Sequence, residues 1–174
     1  MNQCLEITKQ THVSNVFTIN DSINLINIYG DMFDKKLEAN KLITRIQFKL
    51  NHFKSFIKEK PNIKVVYFIW RNPWMVAAKN TYINHLLELN KFENIYKNKE
   101  RYPEIEIKKI RTEGDPDLIL LSSEPYPFKE KHALELGRFT NHGKTIFVDG
   151  EMFSWQGSRL LKAFDYFITL RNSI

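Results

Sequence analysis

"IKVVYFIWRNPWMVAAKNT", Ile63 to Thr81, opens with a nearly continuous β-branched and aromatic run, Ile63 to Trp70, directly after Pro61. A strand with one wet face alternates apolar and polar side chains, whereas an unbroken apolar run suits a strand covered on both faces, as in a parallel sheet. Two further runs of this kind follow, Leu118 to Leu121 and Thr145 to Val148. Helix-like stretches fall at Thr81 to Leu89, Lys129 to Phe139 and Ser158 to Leu170. The order β, α, β, α, β, α predicts an α/β fold, a Rossmann-like lobe with a parallel sheet and right-handed crossovers. Glu104 to Arg111 fits either element: Ile105 and Ile107 alternate like a strand, while Ile107 and Ile110 keep helical spacing.

Upstream of Pro61 the character is different. Val13, Val16 and Phe17 predict a short strand. Thr18 or Asn20 then caps a helix with Ile19, Ile23, Ile26 and Tyr29 at helical spacing, and Gly30 is its expected stop. Leu37, Leu42, Ile43, Ile46, Leu50, Phe53 and Ile57 mark a long amphipathic helix that ends before Pro61. From Asp34 to Lys60 it would reach about 40 Å at 1.5 Å per residue, the length of a spine or spacer.

Composition bounds the function. With 174 residues, 43% hydrophobic and 26% charged, the chain suits one domain, or two small lobes sharing a core. The single Cys4 excludes an internal disulfide, and no Cys/His cluster offers a zinc cage. His12, His52, His85, His132 and His142 lie on separate elements and read as helix-face or loop residues. No apolar run approaches the roughly 20 residues that span a bilayer, and Met1 to Thr18 is too polar for a signal peptide, so the chain as written starts out cytoplasmic. A net charge of +6 allows an anionic ligand, a membrane surface or nucleic acid. The lysines of Lys35 to Lys60 alternate with the apolar stripe and read as a solvated face; no aromatic-studded basic loop accompanies them to favour nucleic acid. Gly-x-Gly-x-x-Gly and Gly-x4-Gly-Lys-Ser/Thr are absent, and no nucleophile stands in a strand-turn-helix elbow, which argues against an enzyme.

Ligands of open α/β sheets sit outside the carboxyl ends of the strands. Here those ends feed the loops Trp70 to Met75, Ser122 to Phe128 and Asp149 to Gly157. With Tyr102 they place Trp70, Trp74, Tyr126, Phe128, Phe153 and Trp155 in loops, where bare aromatics are costly to leave wet. Pro73, Pro103, Pro125 and Pro127 stiffen these segments, and Arg71, Asn72, Glu124, Glu151, Gln156 and Arg159 add polar pins. That mixture predicts one pocket for a sizeable flat ligand. The bland reading stands beside it: Trp70 as core, Glu124 and Glu151 as loop caps or ion-pair partners, Ser122 and Ser123 as strand terminators. Arg159 opens the last helix, where the dipole disfavours a cation, so it calls for an anionic partner such as Glu151 or a ligand group.

The stretches "RNPWMVAAKNTYINHLLEL", "RYPE", "DPDLILLSSEPYPFKEKHALEL" and "VDGEMFSWQGSRLL" together resemble the substrate-binding proteins of ABC transporters for vitamin B12 and iron-siderophores, the helical-backbone metal receptors. The likeness runs from about Val13 to Leu170. It implies two α/β lobes joined by one long helix, with cobalamin, haem or another metal chelate clamped between them and handed to an ABC permease outside the cytoplasm. It also implies a division into a remnant of the N-terminal lobe at 1–33, the connecting helix at 34–60 and the C-terminal lobe at 61–174. By position, Asn72, Pro73, Trp74 and Met75 stand where family members line the pocket, Tyr102 is similar to the aromatic covering the ligand, and Glu151, Phe153 and Trp155 fall in the loop reaching it from the last strand. Glu124 and Arg159 complete the expected ligand-binding set; no metal ligand and no catalytic residue belong to it.

Two departures carry consequences. Most of the family's first lobe has no counterpart, so a ligand would be gripped on one face, and each missing aromatic stack forfeits roughly 0.5 to 1.5 kcal/mol. The N-terminal segment should expose apolar surface and favour self-association, or leave a degenerate, non-transporting fragment. After "RYPE" the family carries an acidic pair that docks on the permease, where this chain has Lys108 and Lys109, with Glu104, Glu106 and Glu113 nearby as substitutes.

Overall fold

A computed structural model describes residues 12–174; Cys4 and most of the polar stretch Met1 to Thr18 lie outside them. The sheet is built on β1, Ile63–Trp70, which pairs parallel with β4, Leu118–Ser122, and β4 pairs parallel with β5, Lys144–Val148. On its other edge β1 takes β3, Phe92–Asn94, in parallel and β2, Met75–Val76, antiparallel. This placement explains the apolar runs of β1 and β4, whereas β5 lies at the sheet edge and leaves Phe147 exposed. Val65 and Tyr67 point to one core and Val66 and Phe68 to another, and all four are fully buried.

The larger core lies under α1, Ile19–Met32, α2, Lys36–Ile57, α3, Tyr82–Leu89, and α7, Leu160–Ser173. It runs without a break from Ile19 through Ile46, Leu50 and Phe53 to Phe153, Phe164 and Phe167, so the N-terminal helix, the long helix and the sheet share one hydrophobic interior. The smaller core, on the opposite face, is closed by α5, Glu130–Gly137, and by the segment around Tyr96, Ile105 and Ile110.

Helix α2 is shorter than its sequence pattern predicts: its 22 residues span about 33 Å. Its buried stripe Ile43, Ile46, Leu50, Phe53, Ile57 packs on α1 and α7, and Lys49 reaches Asp165 of α7. Lys41, Arg45 and Lys58 stay exposed, as a solvated face requires.

Two expectations are corrected and two open ones are decided. Val13 to Phe17 is extended but forms no strand, because no strand lies beside it among the described residues; Val16 instead packs on the larger core. Gly30 does not stop α1. It is buried inside the helix, where a Cβ would come within 2.6 Å of Ala39 Cβ, so its missing side chain sets how closely α2 approaches. The stop is a Schellman turn at Asp34, whose φ of 53° directs Lys35 N–H back to the Gly30 carbonyl at 2.7 Å. Thr18 is the cap, with Asp21 completing a reciprocal capping box. The ambiguous Glu104 to Arg111 resolves into a 3-10 turn, Ile107–Lys109, entering α4, Ile110–Glu113, with Glu104 bridged to Met75.

Candidate functional site

A cavity of about 550 Å3 opens where the extended segment before α1 faces the loops that follow β2, β3 and β5. Its aromatic walls are Phe17, Tyr82, Tyr102 and Trp155, and its polar rim includes Asn80, Arg101 and Gln156. Each wall has a local cause. Thr81 caps α3 by accepting from Asn84 N–H at 3.1 Å and donates to the Ala78 carbonyl at 2.7 Å, which seats Tyr82 as the first helical residue. Arg101 is held at φ 53° by two backbone bonds of 2.8 Å: its N–H donates to Lys79 and its carbonyl accepts from Ala78. Tyr102 follows it, half buried, and burial raises its hydroxyl pKa above the ordinary value.

Trp155 is placed by polar contacts rather than packing. It follows α6, Gly150–Ser154, is 50% exposed, and donates Nε1–H to Glu124 Oε1 at 2.7 Å. The same oxygen accepts from Ser154 Oγ at 3.0 Å. Arg159 lies over the indole at 5.1 Å and pairs with Glu151 at 2.8 Å, which supplies the anionic partner that its position before α7 requires. Ser22 of α1 accepts from Gly157 N–H at 2.9 Å and ties the loop to the N-terminal helix.

The structure therefore brings Tyr102 and Trp155 into the cavity, places Glu124, Glu151 and Arg159 in a neighbouring hollow joined to it through Trp155, and separates the rest. Trp74 stacks on Phe128 at 6.1 Å and meets His132 edge-on, within the smaller core. Met75 lies in β2 against β1. Pro73 borders a separate cavity with Glu106 and Lys109, and Asn72 is exposed beside Arg71, which pairs with Glu135 at 3.1 Å. Phe153 is fully buried between Tyr67 and Phe167 and reaches no surface. The expected convergence of all loop aromatics on one pocket is thus corrected. Tyr126 and Phe128 close a core beneath α5, and Phe153 fills the other one, because burying a large ring in a sheet face is worth more than leaving it at a rim.

Phe17, Asn80, Tyr82 and Arg101 line the cavity without having stood out in the sequence. Arg101 precedes Tyr102 in "RYPE", and that adjacency is the one signal that could have found it. Among the described residues no group of three or more His, Cys, Asp or Glu could hold a metal ion, and no helix is long and apolar enough to cross a membrane.

The profile of the family described as Periplasmic binding protein matches residues 6–144. The chain belongs to the periplasmic binding protein family. Solved members with the same fold include a periplasmic solute-binding protein of Staphylococcus epidermidis, at 17% identity and TM-score 0.76 over 98% of this chain and 68% of that one. The periplasmic vitamin B12 binding protein BtuF of Vibrio cholerae matches at 14% identity and TM-score 0.75, again over 98% and 68%. The periplasmic heme binding protein HutB of Vibrio cholerae matches at 19% identity and TM-score 0.76, over 97% and 70%. No curated protein matches the chain. The periplasmic binding protein fold accounts for both the mainly parallel sheet and the long helix at its side.

Proposed function

We propose that this chain is the substrate-binding component of an ABC importer, and that it holds a broad, flat small molecule, a corrinoid, haem or ferric chelate, in the cavity between Phe17, Tyr102 and Trp155. The single observation that carries the reading is that cavity: its flat walls are set in advance by the Glu124 clamp on Trp155 and the pinned backbone of Arg101. Tyr102 and Trp155 meet the guest, while Glu124 holds the Trp155 indole and the Arg159–Glu151 pair braces it from a neighbouring hollow. Asn72, Pro73, Trp74, Met75 and Phe153 support the loops from behind. The protein carries its ligand and does no chemistry on it, in keeping with a family of binding proteins, and it works outside the cytoplasm.

Contact with the permease follows a pattern of its own. Lys109 is engaged by Glu106 at 2.6 Å and Lys99 by Glu113 at 3.7 Å, so of the acids near Lys108 only Glu104 lacks an ion-pair partner among the described residues. A second reading, a degenerate fragment that acts as an oligomer, is favoured by one feature: Tyr29, Met32, Phe33 and Leu37 are all exposed on and after α1.

Titration of the chain with cyanocobalamin, ferric protoporphyrin IX and a ferric hydroxamate, followed by tryptophan emission, tests the main reading. At least one guest quenches the emission in the wild type and does so much less in Trp155→Phe. No quenching by any of them at high micromolar concentration rules the reading out. Light scattering separates the second reading, which requires an assembly larger than a monomer.

A further inference from the structure

Among the described residues the cavity has one charged lining residue, and it is a cation. Arg101 stands among serine, asparagine, threonine, glutamine and aromatic residues, with no aspartate, glutamate or second base among the described residues of the lining. Its guanidinium has no carboxylate within ion-pair range among the described residues, although the chain elsewhere pairs Arg71 and Arg159 with glutamates. The nearest acid in sequence, Glu100, is engaged elsewhere, by Lys79 at 3.7 Å and by the side-chain amide of Asn80 at 2.8 Å. What Arg101 has instead is the face of Phe17, 5.8 Å from its guanidinium, which sets the cation against the N-terminal wall of the cavity. Arg101 is exposed, and a buried unmet donor lies in the same lining: the Tyr82 hydroxyl has no hydrogen-bond partner among the described residues. Arginine presents its donors in a planar fork that matches a carboxylate, and it prefers to satisfy them.

We propose that Arg101 selects for guests that carry a carboxylate at the edge of the flat ring system, and receives that carboxylate while Tyr102 and Trp155 meet the ring. The inference rests on the reading that this cavity is the ligand site, and it narrows the ligand to anionic members of the flat-chelate class. The backbone argues for placement rather than chance. Arg101 holds a left-handed φ that side-chain-bearing residues seldom adopt, and hydrogen bonds to Lys79 and Ala78 keep it there. The fork is therefore delivered from a fixed point on the rim.

The test compares ferric protoporphyrin IX, which carries two carboxylates, with its dimethyl ester, which carries none, in the same solvent and with the same optical readout. The wild type binds the diacid more tightly than the ester by roughly tenfold or more, as expected for a charge-assisted hydrogen bond. Arg101→Gln removes that preference, lowering diacid affinity far more than ester affinity; Arg101→Lys restores part of it, since lysine keeps the charge and loses the fork. Neither substitution introduces a residue less suited to the backbone than arginine, and unchanged thermal melting of the apo variants shows that the fold is intact. Equal affinity for diacid and ester in the wild type, or an equal loss for both in Arg101→Gln, overturns the selection by charge and leaves the cavity reading standing. Failure of both porphyrins to bind overturns this inference, whereas binding of cyanocobalamin or a hydroxamate in that case still upholds the cavity.

Discussion

Replacing Gly30 by alanine puts one methyl group between α1 and α2. An ideal Cβ there lies 2.6 Å from Ala39 Cβ, and the other near neighbours are backbone atoms of Lys35 and Lys36 at 3.5 and 3.6 Å. Carbon atoms pack best at about 3.5 to 4 Å, so the helices must separate by roughly 1 Å or more. Neither contacting group can rotate away, because both are Cβ atoms fixed to helical backbone. Helix propensity works the other way: glycine to alanine inside a helix gains about 0.8 to 1 kcal/mol. Overpacking a well-filled site costs about 1 to 3 kcal/mol, so the net expectation is a loss of roughly 0 to 2 kcal/mol. In a chain of this size that lowers Tm by about 2 to 4 °C per kcal/mol. Urea denaturation followed by circular dichroism measures it, and the double variant Gly30→Ala with Ala39→Gly reports whether the loss comes from this contact. A net gain near 1 kcal/mol in the single variant would refute the reasoning, since propensity alone would then govern the site. The consequence reaches the cavity, because α1 carries Thr18, Ser22 and the extended segment that forms one of its walls.

Glu124→Ala removes the acceptor shared by Trp155 Nε1 and Ser154 Oγ, so iodide quenching of Trp155 emission rises and ligand affinity falls about three- to tenfold; unchanged quenching shows that the clamp is dispensable. His132 is buried against Phe128 and Trp74, and Nδ1 accepts from Lys129 N–H at 2.9 Å; burial, and then the charges of Arg71 and Lys131, lower its pKa in the folded state. A folded pKa below the unfolded value means the unfolded chain takes up the proton first, so stability is full above about pH 6.5 and declines as pH falls below it. His132→Asn, which keeps a side-chain acceptor, flattens that decline in urea titrations at pH 7 and pH 5; part of the slope that remains comes from His85, which burial shifts in the same direction.

Much of the fold is legible in the linear chain because its central strands β1 and β4 are covered on both faces; the expectation fails for the edge strand β5, where Phe147 stays exposed. A run such as Leu118 to Ser122 needs no partner to be recognised: every side chain must leave water whichever way it points. Thr18 and Thr81 announce their helices for an equally local reason, since a cap is made within the first turn. The short β2 and β3 announce nothing. Two or three residues cannot show a period, and Asn94 of β3 is polar because its amide donates to Ala77 and Asn84 across the interior.

The candidate site divides along the same line. Residue type and the ends of the strands single out Tyr102, Glu124, Glu151, Trp155 and Arg159, and the helix dipole foretells the pairing of Arg159 with Glu151. The side of the sheet on which a ring after a strand comes to rest depends on which helix crosses above it, and no local pattern encodes that. So Phe153 turns inward against Tyr67 while Trp155, two residues on, stays at the rim under a hydrogen bond from a different loop. By itself the sequence determines the alternation of elements, the buried strands and the helix caps, all of which follow from burial and hydrogen bonding within a few residues. Only the tertiary structure decides that Gly30 is a contact rather than a stop, that Trp74 belongs to a core, and that Arg101 is the lone charge among the described residues of the cavity. Those outcomes arise from groups far apart in the chain competing for the same space.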